Sequence, residues 1–320
     1  MIEYISIFII SCLVIAKAGE RLVKTLVNLS RILKWREFVV ASILMAIGSS
    51  LPELFVGITS AISHKPQLAF GNVVGSNIIA LTLLIAIGTF LLGSIKFEKR
   101  LLQRSSIFAS FYAILPLLLM LDGTISRIDG IALLIFFALY IREIFYEKSK
   151  FTKIFNKLEL KEWQKLKLLL KELGLFFVSL LLLILSAEGV VFSATKIAEN
   201  SNLTLAIIGI LGVALGTSLP EIVFEYKSIR LGHKELFLGD AMGSIAVNSG
   251  LVLGITSLIS PIKVFHLSLF YNSILFASLA TLLFLLFARS KDEISRKEGG
   301  ILFLVYCLFV LLELILESFA

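Results

Sequence analysis

Apolar runs long enough for helical membrane spans of about 20 residues recur along the chain, separated by short polar breaks. Ten spans fit, at roughly 3–29, 38–63, 67–93, 105–121, 127–146, 167–198, 203–226, 236–260, 267–288 and 299–318. Runs of this number and length exclude a transmembrane barrel, whose strands show only weak alternation. The pattern therefore predicts an all-α integral membrane protein with ten transmembrane helices. Composition agrees: 17% of residues are charged and 58% hydrophobic, against about 25% charged in an ordinary soluble domain. The first run, opening Ile2-Glu3-Tyr4, lacks the basic lead and cleavage site of a signal peptide and reads as a retained span. Cys12 and Cys307 lie within apolar runs and read as free buried thiols.

The net charge of +7 points to cytoplasmic loops rather than nucleic acid. Alternate connections carry Arg31, Lys34 and Arg36, then Lys96, Lys99, Arg100 and Arg104, then the 147–166 stretch. The same set continues with Lys227, Arg230 and Lys234 and ends with Arg289, Lys291, Arg296 and Lys297. The asymmetry predicts a multi-pass protein of the cell membrane with both termini outside and the 147–166 linker in the cytoplasm. That linker divides the chain into a first five-helix half, 1–146, and a second, 167–320. Its Phe151, Ile154, Phe155, Leu158 and Trp163 among lysines fit either a short amphipathic helix on the inner leaflet or a solvated basic linker.

A hexapeptide occurs twice, Gly48-Ser49-Ser50-Leu51-Pro52-Glu53 and Gly216-Thr217-Ser218-Leu219-Pro220-Glu221. The offset is constant, since 221 minus 53, 220 minus 52 and 216 minus 48 all give 168. It aligns Gly71-Asn72-Val73-Val74-Gly75-Ser76 with Gly239-Asp240-Ala241-Met242-Gly243-Ser244, and Glu20 with Glu188. The chain thus carries an internal duplication. Because each unit has an odd number of spans, the copies cross the membrane in opposite directions, giving two inverted five-helix repeats with a site expected near the midplane.

Glu53 and Glu221 fall near the middle of their spans, where an ionisable group costs at least about 2.5 kcal/mol and normally faces a cavity, a partner or a pathway. A structural ion pair is the plain alternative, but no basic residue lies in Val39 to Ser60 or Ala206 to Ile222. Pro52 and Pro220 each remove a backbone donor and free the carbonyl about four residues earlier, at Gly48 and Gly216. These carbonyls, the hydroxyls of Ser49, Ser50, Thr217 and Ser218, and the two carboxylates form a set of hard oxygen ligands suited to sodium, calcium or magnesium. A simple kink or close helix packing accounts for one copy, but poorly for the whole string twice. At a spacing of four, Asn72, Ser76 and Ala80 share one face, as do Asp240, Ser244 and Asn248. Glu20 and Glu188 are candidates for gating, or for pairing with Lys17, Arg21 or Lys24. His64, His233 and His266 form no ligand set, and no nucleotide-binding loop, nucleophile elbow or zinc spacing is present.

The paired motifs resemble the two alpha repeats of the calcium/cation antiporter superfamily, most nearly its prokaryotic sodium/calcium exchanger branch. The resemblance implies ten helices, with the second, third, seventh and eighth around the ion sites and the first and sixth sliding across them. It implies that calcium and sodium, with no cofactor, compete for ligands supplied by Ser49, Ser50, Glu53, Ser76, Thr217, Ser218, Glu221 and Ser244, with carbonyls near Ala46 and Ala214. The chain departs from the family where an Asn and an Asp are usual: here stand Ala80 and Asn248. Asp240 adds an acid elsewhere on the same face, but eight residues of helix put it about 12 Å from Asn248. Altered coupling or an altered cation is the expected consequence. The leading expectation is a sodium/calcium antiporter working by alternating access. The competing readings are a proton-coupled exchanger of the same fold, an intramembrane hydrolase and a passive cation channel.

Overall fold

The computed structural model describes residues 2–32, 45–96, 100–147, 162–201, 203–230, 234–264, 270–290 and 293–318. Helix α1 (Ile2–Ile32) is followed by a short α2 (Met45–Ser49) and α3 (Leu51–Ile62), then α4 (Pro66–Leu92), α5 (Arg100–Leu119) and α6 (Arg127–Glu147). The second half begins with α7 (Glu162–Ser201). Helix α8 (205–230) joins Leu205–Ile207, Ile208–Val213 and Ala214–Arg230, and α9 (234–259) joins Lys234–Ala246, Val247–Val252 and Leu253–Ile259. Helices α10 (Tyr271–Ser290) and α11 (Arg296–Ser318) complete the chain. The described residues of every predicted span are mainly helix; the first residues of 38–63 and of 267–288 lie outside the described ones, and 203–204 precede helix α8.

By length and composition, six described helices can cross a membrane: stretches of α1, α4, α7, α9, α10 and α11. Shorter apolar stretches, Leu51–Ile62, Ser106–Asp122 and Ile208–Leu219, lie in or around α3, α5 and α8. Helix α6 falls below that measure because Asp129 near one end and Arg142 and Glu143 near the other confine its uncharged run to 130–141. Apolar side chains face outward on the longer helices, among them Leu181 and Leu185 on α7 and Leu304, Leu308 and Leu311 on α11. Such a surface suits lipid rather than water.

The two halves hold each other by matched contacts. Strand β1 (Ser94–Lys96) pairs antiparallel with β4 (Glu293–Ser295), and β2 (Thr124–Ile125) with β3 (Ile262–Lys263). Since β3 starts 168 residues after β1, each half lends one strand to each ribbon. Arg127 Nε donates to the Leu258 carbonyl at 3.1 Å, and Arg296 Nη2 to the Phe90 carbonyl at 2.7 Å. The helices that follow the ribbons start alike: Asp129 accepts from the Ser126 backbone and hydroxyl, and Glu298 does the same for Ser295. These caps satisfy N–H groups that a helix start leaves open. The 147–166 linker falls mostly outside the described residues, and its last part, from Glu162, is already helix α7.

Helices α1 and α7 lie against each other through Ile15, Leu22, Leu183 and Val190, an apolar cluster that also takes in Val56 and Val213. Small residues bring this pair close to the motif helices: a Cβ on Gly19 would meet Pro52 Cγ at 3.2 Å, and one on Gly216 would meet Cys12 Sγ at 2.4 Å. Cys12 is buried as expected, whereas Cys307 is exposed on the outer side of α11, where an apolar run needs no neighbour to shield it. Both are free thiols.

Candidate cation-binding site

The first hexapeptide breaks its helix at Ser50, which sits at φ −89°, ψ 8° between α2 and α3. Pro52 then falls in the first turn of α3, where its missing N–H costs nothing, and Glu53 sits in that same turn. A helix N-terminus favours the negative charge placed there. The second copy differs. Ala214–Arg230 runs as continuous helix through Pro220, and the irregularity lies upstream in the π-helical Ile208–Val213. A wider turn next to a proline absorbs the distortion without a break.

Helices α4 and α9 widen at matched places, Ala80–Leu84 and Val247–Val252. Ala80 and Asn248, the two positions that depart from the family pattern, both lie in these segments. Glycines let α4 meet α8 of the other half: a Cβ on Gly75 would stand 2.2 Å from the Ile210 carbonyl oxygen, and one on Gly209 would stand 2.6 Å from that of Leu68. The GxxxG stretch of α4 is thus a backbone contact across the halves.

Hydroxyls of each motif reach the other half. Ser49 Oγ donates to Asp240 Oδ1 at 3.0 Å, and Thr217 Oγ1 lies 3.0 Å from Asn72 Oδ1. Ser49 matches Thr217 and Asp240 matches Asn72 at the 168-residue offset, so the same bond is made twice. The single Thr217 proton is also within reach of the carbonyls of Val213, at 3.1 Å, and Ala214, at 3.4 Å. Ser218 Oγ lies 3.3 Å from Ser76 Oγ, while Ser244 bonds back to the Ala241 carbonyl of its own helix. Ser50 is buried and its hydroxyl has no partner among the described residues.

Four carboxylates lie in this interior. Glu53 is 0% exposed and Glu221 1%. Among the described residues, both oxygens of Glu53 and Oε1 of Glu221 have no hydrogen-bond partner. Glu221 is within electrostatic reach of Glu53, Asp240 and Glu225. No basic side chain among the described residues bonds any of the four. Nor do three Asp, Glu, His or Cys side chains among the described residues converge as a metal cluster. The donors gathered here are instead paired acids interleaved with hydroxyls, amides and carbonyls, a hard oxygen set. Leaving such groups buried without partners costs several kcal/mol per charge, roughly, unless a cation or proton neutralises them.

Glu225 escaped the sequence reading. It is 2% exposed, its Oε2 is unpartnered, and it stands four residues beyond Glu221 on the same helix face. That spacing was the available signal, but its mate at the 168-residue offset is Gly57, so comparing the halves hides it. Asn248 is buried with an unpartnered Oδ1, and Ala214 offers its carbonyl beside Thr217. Ala46 lies in α2, and its side chain is outside the described residues. Glu20 pairs with Lys24 on an exposed face, and Glu188 is exposed on α7. His64 occupies the turn after α3 at φ 57°, while His233 and His266 lie outside the described residues.

Comparison with known proteins agrees with this arrangement. The sequence profile of the sodium/calcium exchanger protein family matches residues 3–145 and again 171–315. The chain is 27% identical to sodium/calcium exchanger MaX1 of Methanosarcina acetivorans, across 95% of this chain and 96% of that one. It is 28% identical to putative antiporter CaxA of Alkalimonas amylolytica, across 90% and 92%. Structures of the sodium-calcium exchanger NCX_Mj superpose with TM-scores up to 0.66 at 24% identity, covering 97% of this chain and 98% of that one. These relatives are transporters, not enzymes. With both halves matched by one profile, the chain belongs to the sodium/calcium exchanger protein family.

Proposed function

We propose that the chain is a sodium/calcium antiporter, that its cargo cation is held between Glu53 and Glu221, and that the two halves are inverted five-helix repeats making ten crossings. The observation that carries this reading is the pair of buried carboxylates on matched helices, Glu53 with neither oxygen and Glu221 with its Oε1 not hydrogen-bonded among the described residues. Calcium balances the two charges at once, and two sodium ions do the same. Calcium takes about 6–8 oxygens, more than the acids supply, so the hydroxyls and the carbonyls of Gly48, Ala214 and Gly216 complete the shell.

Coupling follows from the cost of bare charge. A loaded site is neutral enough to be sealed in an apolar interior, whereas an empty one carries two uncompensated carboxylates and resists closure. Alternating occupancy by sodium and calcium therefore drives exchange. Helices α1 and α7 serve as the moving pair, bearing on the motif helices at Gly19, Cys12, Pro52 and Gly216. The exchanged ribbons and the paired Arg127 and Arg296 bonds support the inverted repeat, because each half makes on the other the contact it receives. The basic connections support termini outside and the linker inside.

Isotopic calcium uptake into proteoliposomes tests the reading. Sodium-loaded vesicles in sodium-free medium accumulate calcium, and vesicles with equal sodium on both sides do not. Uptake that ignores the sodium gradient at fixed pH contradicts it.

A further inference from the structure

The site has a second acidic layer that the central pair does not account for. Glu225 is one helical turn, about 6 Å, beyond Glu221 towards the C-terminal end of α8. Asp240 is one turn before Ser244 towards the N-terminal end of α9, and Ser49 is one turn before Glu53. Consecutive antiparallel helices place the first two on the same side of the centre, and the Ser49 bond to Asp240 draws the third there. Among the described residues Glu225 Oε2 and Asp240 Oδ2 are buried without hydrogen-bond partners, and Glu225 lies within electrostatic reach of Asp240.

The matching positions in the other half carry no charge. Asn72 replaces Asp240, and Gly57 replaces Glu225. The space beside Gly57 is filled, for a Cβ there would meet Thr256 Oγ1 at 2.8 Å and Val252 Cγ1 at 3.0 Å. One side of the centre is thus neutral and packed, the other acidic and unsatisfied. One calcium ion balances Glu53 and Glu221 and leaves the charge of Glu225 and Asp240 uncovered.

We propose that Glu225, Asp240 and Ser49 form a separate sodium subsite, loaded together with the central one. This rests on the exchanger reading above. The ion class follows from the ligands: two carboxylates and one hydroxyl, among the described residues, fall short of the roughly 6–8 oxygens calcium takes. Sodium needs fewer oxygens, and one sodium ion covers one of the two charges. The subsite would supply the negative charge that Asn248 does not, at another point along the pathway.

Equilibrium binding of radioactive sodium and calcium to the purified full chain in detergent tests the subsite. Glu225→Gln keeps the side-chain volume and should bind one sodium fewer per chain, with calcium affinity held within about twofold. Asp240→Asn should do the same, which guards against one variant failing to fold, and thermal unfolding confirms that each is folded. An unchanged sodium count in a folded variant overturns the subsite, as does parallel loss of sodium and calcium, which would place these acids in the central cage. A wild-type chain that shows no sodium-driven calcium flux defeats the exchanger reading instead, and the sodium count still decides the subsite.

Discussion

At one end of the buried cluster Ser49 donates to a carboxylate, that of Asp240; at the other Thr217 meets an amide, that of Asn72, at the same 3.0 Å. The backbone frame is repeated, down to the exchanged ribbons and the mirrored arginine bonds, and yet the charge is not. The repeat therefore belongs to the scaffold. Chemistry is written on it position by position. Glu225 opposite Gly57, Asp240 opposite Asn72 and Asn248 opposite Ala80 bias one side of a balanced frame towards cations.

The comparison breaks most sharply at the centre, where the halves are equal. Glu53→Gln and Glu221→Gln should each lower sodium-driven calcium uptake by about 100-fold or more, since each removes half the charge that balances the ion in a medium where an unpaired charge costs several kcal/mol. A large effect from one and none from the other would mean that the carboxylates do not share a cation.

Packing gives the next largest contrast. Gly75→Ala drives a methyl into the Ile210 carbonyl and the Ala214 Cβ, at 2.2 and 2.6 Å, and should cost about 1–3 kcal/mol in thermal unfolding. Gly239→Ala has nothing within 4 Å to meet and should be neutral or slightly stabilising, as a helical Gly→Ala change is by up to about 1 kcal/mol. Equal losses would show that these two glycines are packed alike.

The two ends then separate by hydroxyl. Ser49→Ala strips from Asp240 its one hydrogen-bond partner among the described residues and should weaken sodium activation of transport by about 10-fold, in line with roughly 1.5–3 kcal/mol for a hydrogen bond to a charged group. Thr217→Val removes a bond between neutral groups and should cost about threefold, or about 0.5–1 kcal/mol. The reverse order would locate the charge at the wrong end. Smallest of all, Arg127→Gln and Arg296→Gln break mirrored surface bonds to carbonyls and should each lower stability by about 0.5 kcal/mol, equally.

Helix positions were legible because apolar run length fixes them, and the constant offset of 168 exposed the duplication and the paired acids. Three features were not. The ribbon strands, two or three residues long, are too short to carry a period. The break at Ser50 against the unbroken Pro220 helix depends on where the wider turn falls, which the identical Leu-Pro-Glu strings do not show. Glu225 was masked by the repeat logic itself, since an unmatched residue drops out of a search for matched ones. Asp240 was seen, but distance along its own helix from Asn248 said nothing of Ser49, which bonds it from another helix.

The most direct test is to locate the ion. Crystals grown in calcium and measured at a wavelength where calcium scatters anomalously should show a peak about 2.3–2.6 Å from carboxylate oxygens of both Glu53 and Glu221. A peak bound to only one of them, or none in the interior while calcium is transported, would contradict the account.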